Sequence, residues 1–172
     1  DLPLSLRLLR EIHAELMKGV RGDEKSPGEF RTSQNWIGPP GCTLTNAAFV
    51  PPPPHEVLNT LGQLENFLHA GKQDTPVLIR CGLAHAQFET IHPFLDGNGR
   101  VARLHSHLVL GHMGLTNGLW SPLRGFARSQ DTYYAHLSAA DEPRAGDLDG
   151  RGNLTEAGLL RWIHYVEIGR AS

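Results

Sequence analysis

Residues 92–103 read His92-Pro93-Phe94-Leu95-Asp96-Gly97-Asn98-Gly99-Arg100-Val101-Ala102-Arg103, a glycine-rich turn set between two helical patterns. Gly97 and Gly99 open backbone angles closed to other residues, so consecutive N–H groups can turn inward around an anion. The helix that starts here adds its unpaired N–H groups and the positive end of its dipole. Arg100 and Arg103 are three apart, on one face of the first turn, and suit phosphate oxygens. Asp96 supplies one hard oxygen ligand, the donor that Mg²⁺ takes alongside phosphate and water. His92, with a free pKa near 6.5, suits proton abstraction from a hydroxyl at neutral pH. Taken singly, each part reads as ordinary structure: an interhelical turn, a satisfied histidine, a solvated helix face. Phe94 reads as core in either case. Together, within twelve residues, they predict a nucleotide-phosphate site that transfers a phosphate-linked group.

Helical periodicity extends on both sides of this turn. Upstream, a helix is expected from about Thr75 to Thr90 with Leu78, Ile79, Leu83 and Ala86 inward; being apolar on most sides, it is the expected central helix of a bundle. Before it, Val57, Leu58, Leu61, Leu64, Phe67 and Leu68 recur at steps of three and four. Ser5 caps an expected first helix over about Leu6 to Lys18, with Leu9, Ile12 and Leu16 on one face. Downstream, Val101, Leu104, Leu108 and Val109 continue the helix that the turn begins. A polar break at Gly114 to Gly118 precedes a helical region from about Arg124 to Ala140. Thr155 caps a last helix with Leu159, Leu160, Ile163 and Val166 as its inner face. Between Lys25 and Pro54, glycines and prolines exclude a long helix. Phe30 to Ile37 and Ala47 to Val50 are β-compatible, and Gly38-Pro39-Pro40-Gly41 between them predicts a hairpin-like flap, a structureless surface loop being the alternative. The expected fold class is mainly α, a helical bundle with a small β-hairpin flap.

The bulk numbers set the frame. At 172 residues the chain suits one compact domain, residues 1–172. Sixteen basic against eighteen acidic side chains give a net charge of −2, which argues against a nucleic-acid or membrane-surface binder. No apolar run approaches a membrane span and no leader opens the chain. Cys42 and Cys81 lack metal or redox spacing and read as thiols of a reducing compartment. The start at Asp1, without an initiator Met, leaves open a fragment of something longer.

HPFLDGNGRVAR fills every defined position of the Fic motif, His-x-Phe-x-(Asp/Glu)-Gly-Asn-Gly-Arg-x-x-Arg. The segments LMKGVRG, PGEFRTSQNWIG, FVPPPP and LAHAQFETIHPF also resemble bacterial Fic proteins, and RAGDLDGRGNLTEAGL resembles one Fic subfamily. The resemblance runs from about Leu4 to Ile168. It implies a Fic fold and transfer of AMP from ATP to a Ser, Thr or Tyr hydroxyl of a protein, with Mg²⁺. It makes His92 the base and Asp96 the Mg²⁺ ligand. Gly97, Asn98 and Gly99 become the anion hole, and Arg100 and Arg103 the grips on the β- and γ-phosphates. Val50 and Pro51 fall where the flap approaches the nucleotide. Tyr133 and Tyr134 resemble a Tyr pair near the adenine, and read equally well as core and surface aromatics of a helix. Gly99 stands where the phosphorylating Doc branch carries Lys, which favours AMP transfer.

The resemblance also implies partners. A target protein segment docks along the flap from Phe30 to Val50. Many Fic proteins carry an inhibitory (Ser/Thr)-x-x-x-Glu-(Gly/Asn) helix whose Glu pairs with the residue equivalent to Arg103. The nearest candidate, Ser138 to Glu142, is broken by Pro143. A separate inhibitor protein, a missing helix and self-association stay open; with no such Glu, constitutive activity is the expectation. A bacterial cytoplasmic location is expected, delivery to a host being the alternative. Removal of AMP, transfer of another nucleotide-linked group, and a non-catalytic nucleotide-binding module are the rival readings. Asp147-Leu148-Asp149-Gly150 lacks the Glu of a calcium loop, Gly158 standing in its place, and reads as a turn plus helix cap. His105 and His107 point apart on their helix, which makes them poor joint metal ligands.

Overall fold

A computed structural model describes residues 5–70, 74–116 and 121–168. Leu4 and the Asn117-Gly118 end of the expected polar break lie outside the described residues. Seven helices form among those described: α1 Leu6–Leu16, α2 Val57–His69, α3 Val77–Ile91, α4 Asn98–His112, α5 Pro122–Arg128, α6 Gln130–Ala140 and α7 Glu156–Ile168. The chain divides into two compact units, Asp1–Ala70 with Gln87–Ala102 and Gly71–Ala86 with Arg103–Ser172, so the division falls within α3 and α4. None of the described helices is long and apolar enough to cross a membrane.

In the first unit, Ser5 caps α1 as expected: its Oγ accepts from Leu8 N–H at 3.1 Å. Leu9, Ile12 and His13 are buried on the inner face of α1, and Val57, Leu61, Leu64 and Leu68 on that of α2. Leu58 belongs to the same apolar pattern but is 63% exposed, because the buried stripe of α2 is narrower than its apolar one. Phe94 is fully buried, its ring stacked on that of His13 with centroids 3.8 Å apart.

The expected hairpin is not present as strands among the described residues. It is reduced to one antiparallel bridge, Ile37 with Phe49, made by Ile37 N–H to Phe49 O at 2.9 Å and Phe49 N–H to Ile37 O at 3.1 Å. Two causes limit the pairing. Pro39, Pro40 and the run from Pro51 have no N–H to donate. The backbone and side chains from Arg31 to Asn35 bond to the 91–94 turn and to Pro51 and Pro52 instead of to a strand partner.

In the second unit, Phe126, Tyr133, Ala140, Trp162 and Ile163 form a buried cluster with Ala86, and α6 packs on α7. A Cβ at Gly158 would run into the Ala139 carbonyl, which is why the two helices approach so closely. The single helical region expected from Arg124 to Ala140 is two helices. Ser129, at φ −119° and ψ 44°, breaks it, and its Oγ bonds both Gly125 O and Tyr165 Oη. On α7 Leu160 points outward at 61% exposure, and Trp162 is buried in its stead. Likewise Leu108 of α4 is 37% exposed, while His105, Ser106 and Leu110 are buried. The cap of α7 is double: Thr155 Oγ1 accepts from Gly158 N–H, and Asp149 accepts from Glu156 and Ala157 N–H. Those N–H groups and that of Ala145 hold the Asp149 carboxyl down to about 2. Asp149 is therefore the turn-and-cap residue that its sequence context predicts.

Candidate active site

The turn after α3 is held in an unusual backbone state. His92 has φ +48°, a left-handed conformation uncommon for a residue with a Cβ. Its carbonyl is clamped from two directions: Arg31 Nε donates to it at 2.9 Å and Asn35 Nδ2 at 3.1 Å. Asn35 Nδ2 also reaches Phe94 O, and Arg31 N–H donates to Pro93 O at 2.8 Å. Arg31 is almost wholly buried and further donates to the Ile91 and Pro52 carbonyls. One guanidinium thus ties the 51–52 segment to the His92 turn.

The imidazole has a separate partner, the Glu89 carbonyl. His92 Nδ1 lies 3.2 Å from Glu89 O, and since a carbonyl only accepts, Nδ1 carries the proton. Nε2 is left as the acceptor. Burial pushes the His92 pKa down to about 4, against the opposing pull of the Glu89 carbonyl, so the ring is neutral at pH 7. That is the state a general base needs.

Asp96 to Arg100 form the rest of the turn. Gly97 has φ +79°, and a Cβ there would sit 2.6 Å from Met17 Sδ, so both backbone and space demand glycine. Gly99 differs from expectation. It lies in the first turn of α4 and is not among the positive-φ glycines. Asn98 is buried with its side chain bonded twice to Phe94, Oδ1 to N–H and Nδ2 to O, each at 2.8 Å. Its amide therefore shapes the turn. Among the described residues, the backbone N–H groups of Asn98 and Gly99 have no protein acceptor. They open α4, a pair of donors ready for an anion.

Burial raises the Asp96 carboxyl, but the Gly97 N–H at 2.6 Å, Lys25 and Arg100 outweigh it and hold it below the usual range. Lys25 Nζ stands 3.5 Å from Oδ2. One ionised carboxylate is the donor set that suits Mg²⁺ shared with phosphate. Among the described residues no three His, Cys, Asp or Glu converge as a protein-only metal cage. Arg100 donates to Arg21 O at 3.0 Å and Leu16 O at 3.4 Å, just beyond α1 and at its end. Val50 is exposed at 45%, and Pro51 is buried with its carbonyl taking Gln34 Nε2.

The motif's last arginine belongs to the second unit. Arg103 Cζ lies 5.7 Å from the centroid of the Tyr133 ring. Tyr133 is buried, its Oη 2.9 Å from His85 Nε2, whereas Tyr134 is half exposed. Tyr133 is thus a core residue of α6, and Tyr134 presents its ring at the surface of the same helix.

The model of the Fic/DOC family matches residues 3–110. The chain belongs to the Fic/DOC family. It is 35% identical over 139 residues to a probable protein adenylyltransferase of Aquifex aeolicus, covering 81% of this chain and 38% of that protein. A protein adenylyltransferase Fic of Culex quinquefasciatus is 29% identical over 140 residues, 81% of this chain and 25% of that protein. The chain therefore spans well under half the length of these relatives. Among solved structures, a Fic domain protein of Bacteroides thetaiotaomicron superposes with a TM-score of 0.70 at 24% identity, over 95% of this chain and 58% of that one. A Fic family protein of Desulfovibrio desulfuricans gives 0.67 at 22% identity, over 97% and 46%. These likenesses establish the Fic fold.

Sequence reasoning missed three residues of this Fic turn: His13, Arg31 and Asn35. His13 Nδ1 accepts from Gly28 N–H at 2.8 Å, and its Nε2 lies 3.0 Å from Asp96 O. The former contact makes Nε2 the protonated nitrogen, donating to Asp96 O. Arg31 and Asn35 sit in PGEFRTSQNWIG, and their presence there was the one available signal.

Proposed function

We propose that this chain is a protein adenylyltransferase that moves AMP from ATP to a Ser, Thr or Tyr hydroxyl of a protein. One observation carries the reading: a neutral His92 with Nε2 free to accept a proton, on the same turn as two unsatisfied N–H donors. His92 Nε2 takes the hydroxyl proton as the oxygen attacks the α-phosphorus. A P–O bond forms there, and the bond from the α-phosphorus to the bridging oxygen breaks, releasing pyrophosphate. The Asn98 and Gly99 N–H groups hold the phosphate chain, and Arg100 and Arg103 balance its outer charge. Asp96 is the residue to hold Mg²⁺, which when bound withdraws charge from the phosphate oxygens. Tyr133 acts by supporting Arg103, whose guanidinium lies over its ring.

The target segment would lie along the flap, from Phe30 to Val50, where Trp36, Leu44 and Val50 are exposed and one bridge leaves backbone groups open to β-augmentation. The names of the Aquifex and Culex relatives support the same activity. A bacterial cytoplasm, which supplies ATP, is the setting that fits.

The test is label transfer from ATP carrying ³²P at either the α- or the γ-position, with Mg²⁺ and a cell lysate. Protein label from the α-position alone supports AMP transfer. Label from the γ-position that appears only when the chain is added would make it a kinase, and no added label from either position, with intact ATP binding, a nucleotide-binding module.

A further inference from the structure

The second unit contains a cavity of about 480 Å³ that none of the chemistry above uses. Its size falls in the range of roughly 300–1,000 Å³ common to small-molecule pockets. Apolar side chains from four helices line it, among them Leu78, Leu110, Phe126, Trp162 and Val166.

The polar groups in its wall have already been used. His85 is fully buried, with Nδ1 2.7 Å from Ser106 Oγ and Nε2 bonded to Tyr133 Oη. Trp162 Nε1 donates to Gly82 O at 2.8 Å, and Ser129 Oγ lies 2.7 Å from Tyr165 Oη. Burial holds His85 neutral and keeps the Cys81 thiol protonated. The depth of the cavity therefore offers neither charge nor a spare strong donor, and favours an apolar body.

Charge is confined to one side. Arg124 and Arg128, four apart on α5, both line the cavity and both are exposed. Among the described residues neither has a carboxylate within ion-pairing distance. Among the described residues that line the cavity there is no Asp or Glu.

We propose that this cavity is a binding site for a small amphipathic monoanion, with an apolar body against Trp162 and Phe126 and one carboxylate at Arg124 and Arg128. A nucleotide does not fit the description, because it needs several charges met and a base edge read by polar groups.

The test titrates the chain with decanoate below its micelle concentration by calorimetry. Decyltrimethylammonium, with the same tail and opposite charge, is the control. The site predicts saturable binding of one decanoate per chain, at least about tenfold tighter than the cation, a difference of about 1.4 kcal/mol. The double variant Arg124→Gln/Arg128→Gln, altered only on an exposed helix face, should lose that preference while keeping the far-UV circular dichroism of the parent. Saturating ATP should leave decanoate binding in place. No saturable binding, equal affinity for the cation, or an unchanged preference in the double variant would overturn the proposal. So would simple competition by ATP, which would make the cavity part of the nucleotide site. None of these outcomes bears on AMP transfer, which the label experiment decides separately.

Discussion

Arg31 Nε and the carbonyl of His92 are joined by a 2.9 Å hydrogen bond, and His92 stands at φ +48°. A buried guanidinium from the first third of the chain thus holds the proposed base in a backbone state that costs about 1–3 kcal/mol to maintain. The same side chain reaches the Ile91 and Pro52 carbonyls, so it orients the turn without touching the reacting atoms.

Arg31→Lys keeps a positive charge but cannot serve the carbonyls of Ser33, Pro52, Ile91 and His92 in a fixed fork. It should lower kcat roughly 10²-fold, the scale of a misplaced reacting group, with a smaller change in KM for ATP. Steady-state kinetics with fixed target check this; an equal fall in ATP affinity alone would assign Arg31 to nucleotide binding.

Gly97→Ala meets two obstacles, the φ of +79° and Met17 Sδ at 2.6 Å. It should destabilise the fold by more than about 1 kcal/mol, read as a lower urea midpoint. It should also tilt the Asn98 and Gly99 N–H groups and weaken ATP binding. A variant as stable as the parent would place Gly97 outside the constraint.

Acid should destabilise this protein early. Burial lowers His85 to about 3 and His105 to about 4, both from 6.5. A depressed folded pKa means that the unfolded chain binds more protons between those values and 6.5. Stability is therefore complete above pH 6.5 and falls as pH drops toward 4, each histidine contributing up to about 1.4 kcal/mol per pH unit. Thermal melts from pH 7.5 to 5 check the slope. The rate should behave differently: with His92 near 4, kcat/KM should stay level down to about pH 5.5 wherever the chain remains folded. A limb at 6.5 in folded protein would mean that the base is an exposed imidazole.

His105 is 3% exposed, and among the described residues its Nε2 has no hydrogen-bond partner. An unsatisfied buried polar group costs about 1–3 kcal/mol. His105→Leu should raise the melting temperature and flatten its decline in acid. A lower melting temperature would show that the ring serves packing that leucine cannot replace.

The sequence made the local parts of this protein readable. The 3–4 spacing located the helices, the Ser5 and Thr155 caps stood where their chemistry suggested, and the motif turn carried Asp96, Gly97 and Arg100 within a few residues. Other features depend on distant partners. Arg31 and Asn35 bond His92 O across 61 and 57 residues of chain, and His13 reaches Asp96 O across 83. No periodicity encodes such pairs. The break at Ser129 and the outward turn of Leu58 and Leu160 follow from which stripe of each helix meets a neighbour, which hydrophobicity alone does not specify. The flap is one bridge rather than two strands among the described residues, because Pro39 and Pro40 have no N–H to donate and the side chains of Arg31, Gln34 and Asn35 tie its first arm to the His92 turn and to Pro51 and Pro52.

The most direct measurement is pyrophosphate release matched against AMP found on target hydroxyls by mass spectrometry, for the parent chain and for His92→Ala. One pyrophosphate per AMP attached, and loss of both in the variant with ATP still bound, is the predicted result. AMP attachment that persists unchanged in His92→Ala would contradict the assignment of His92 as the base.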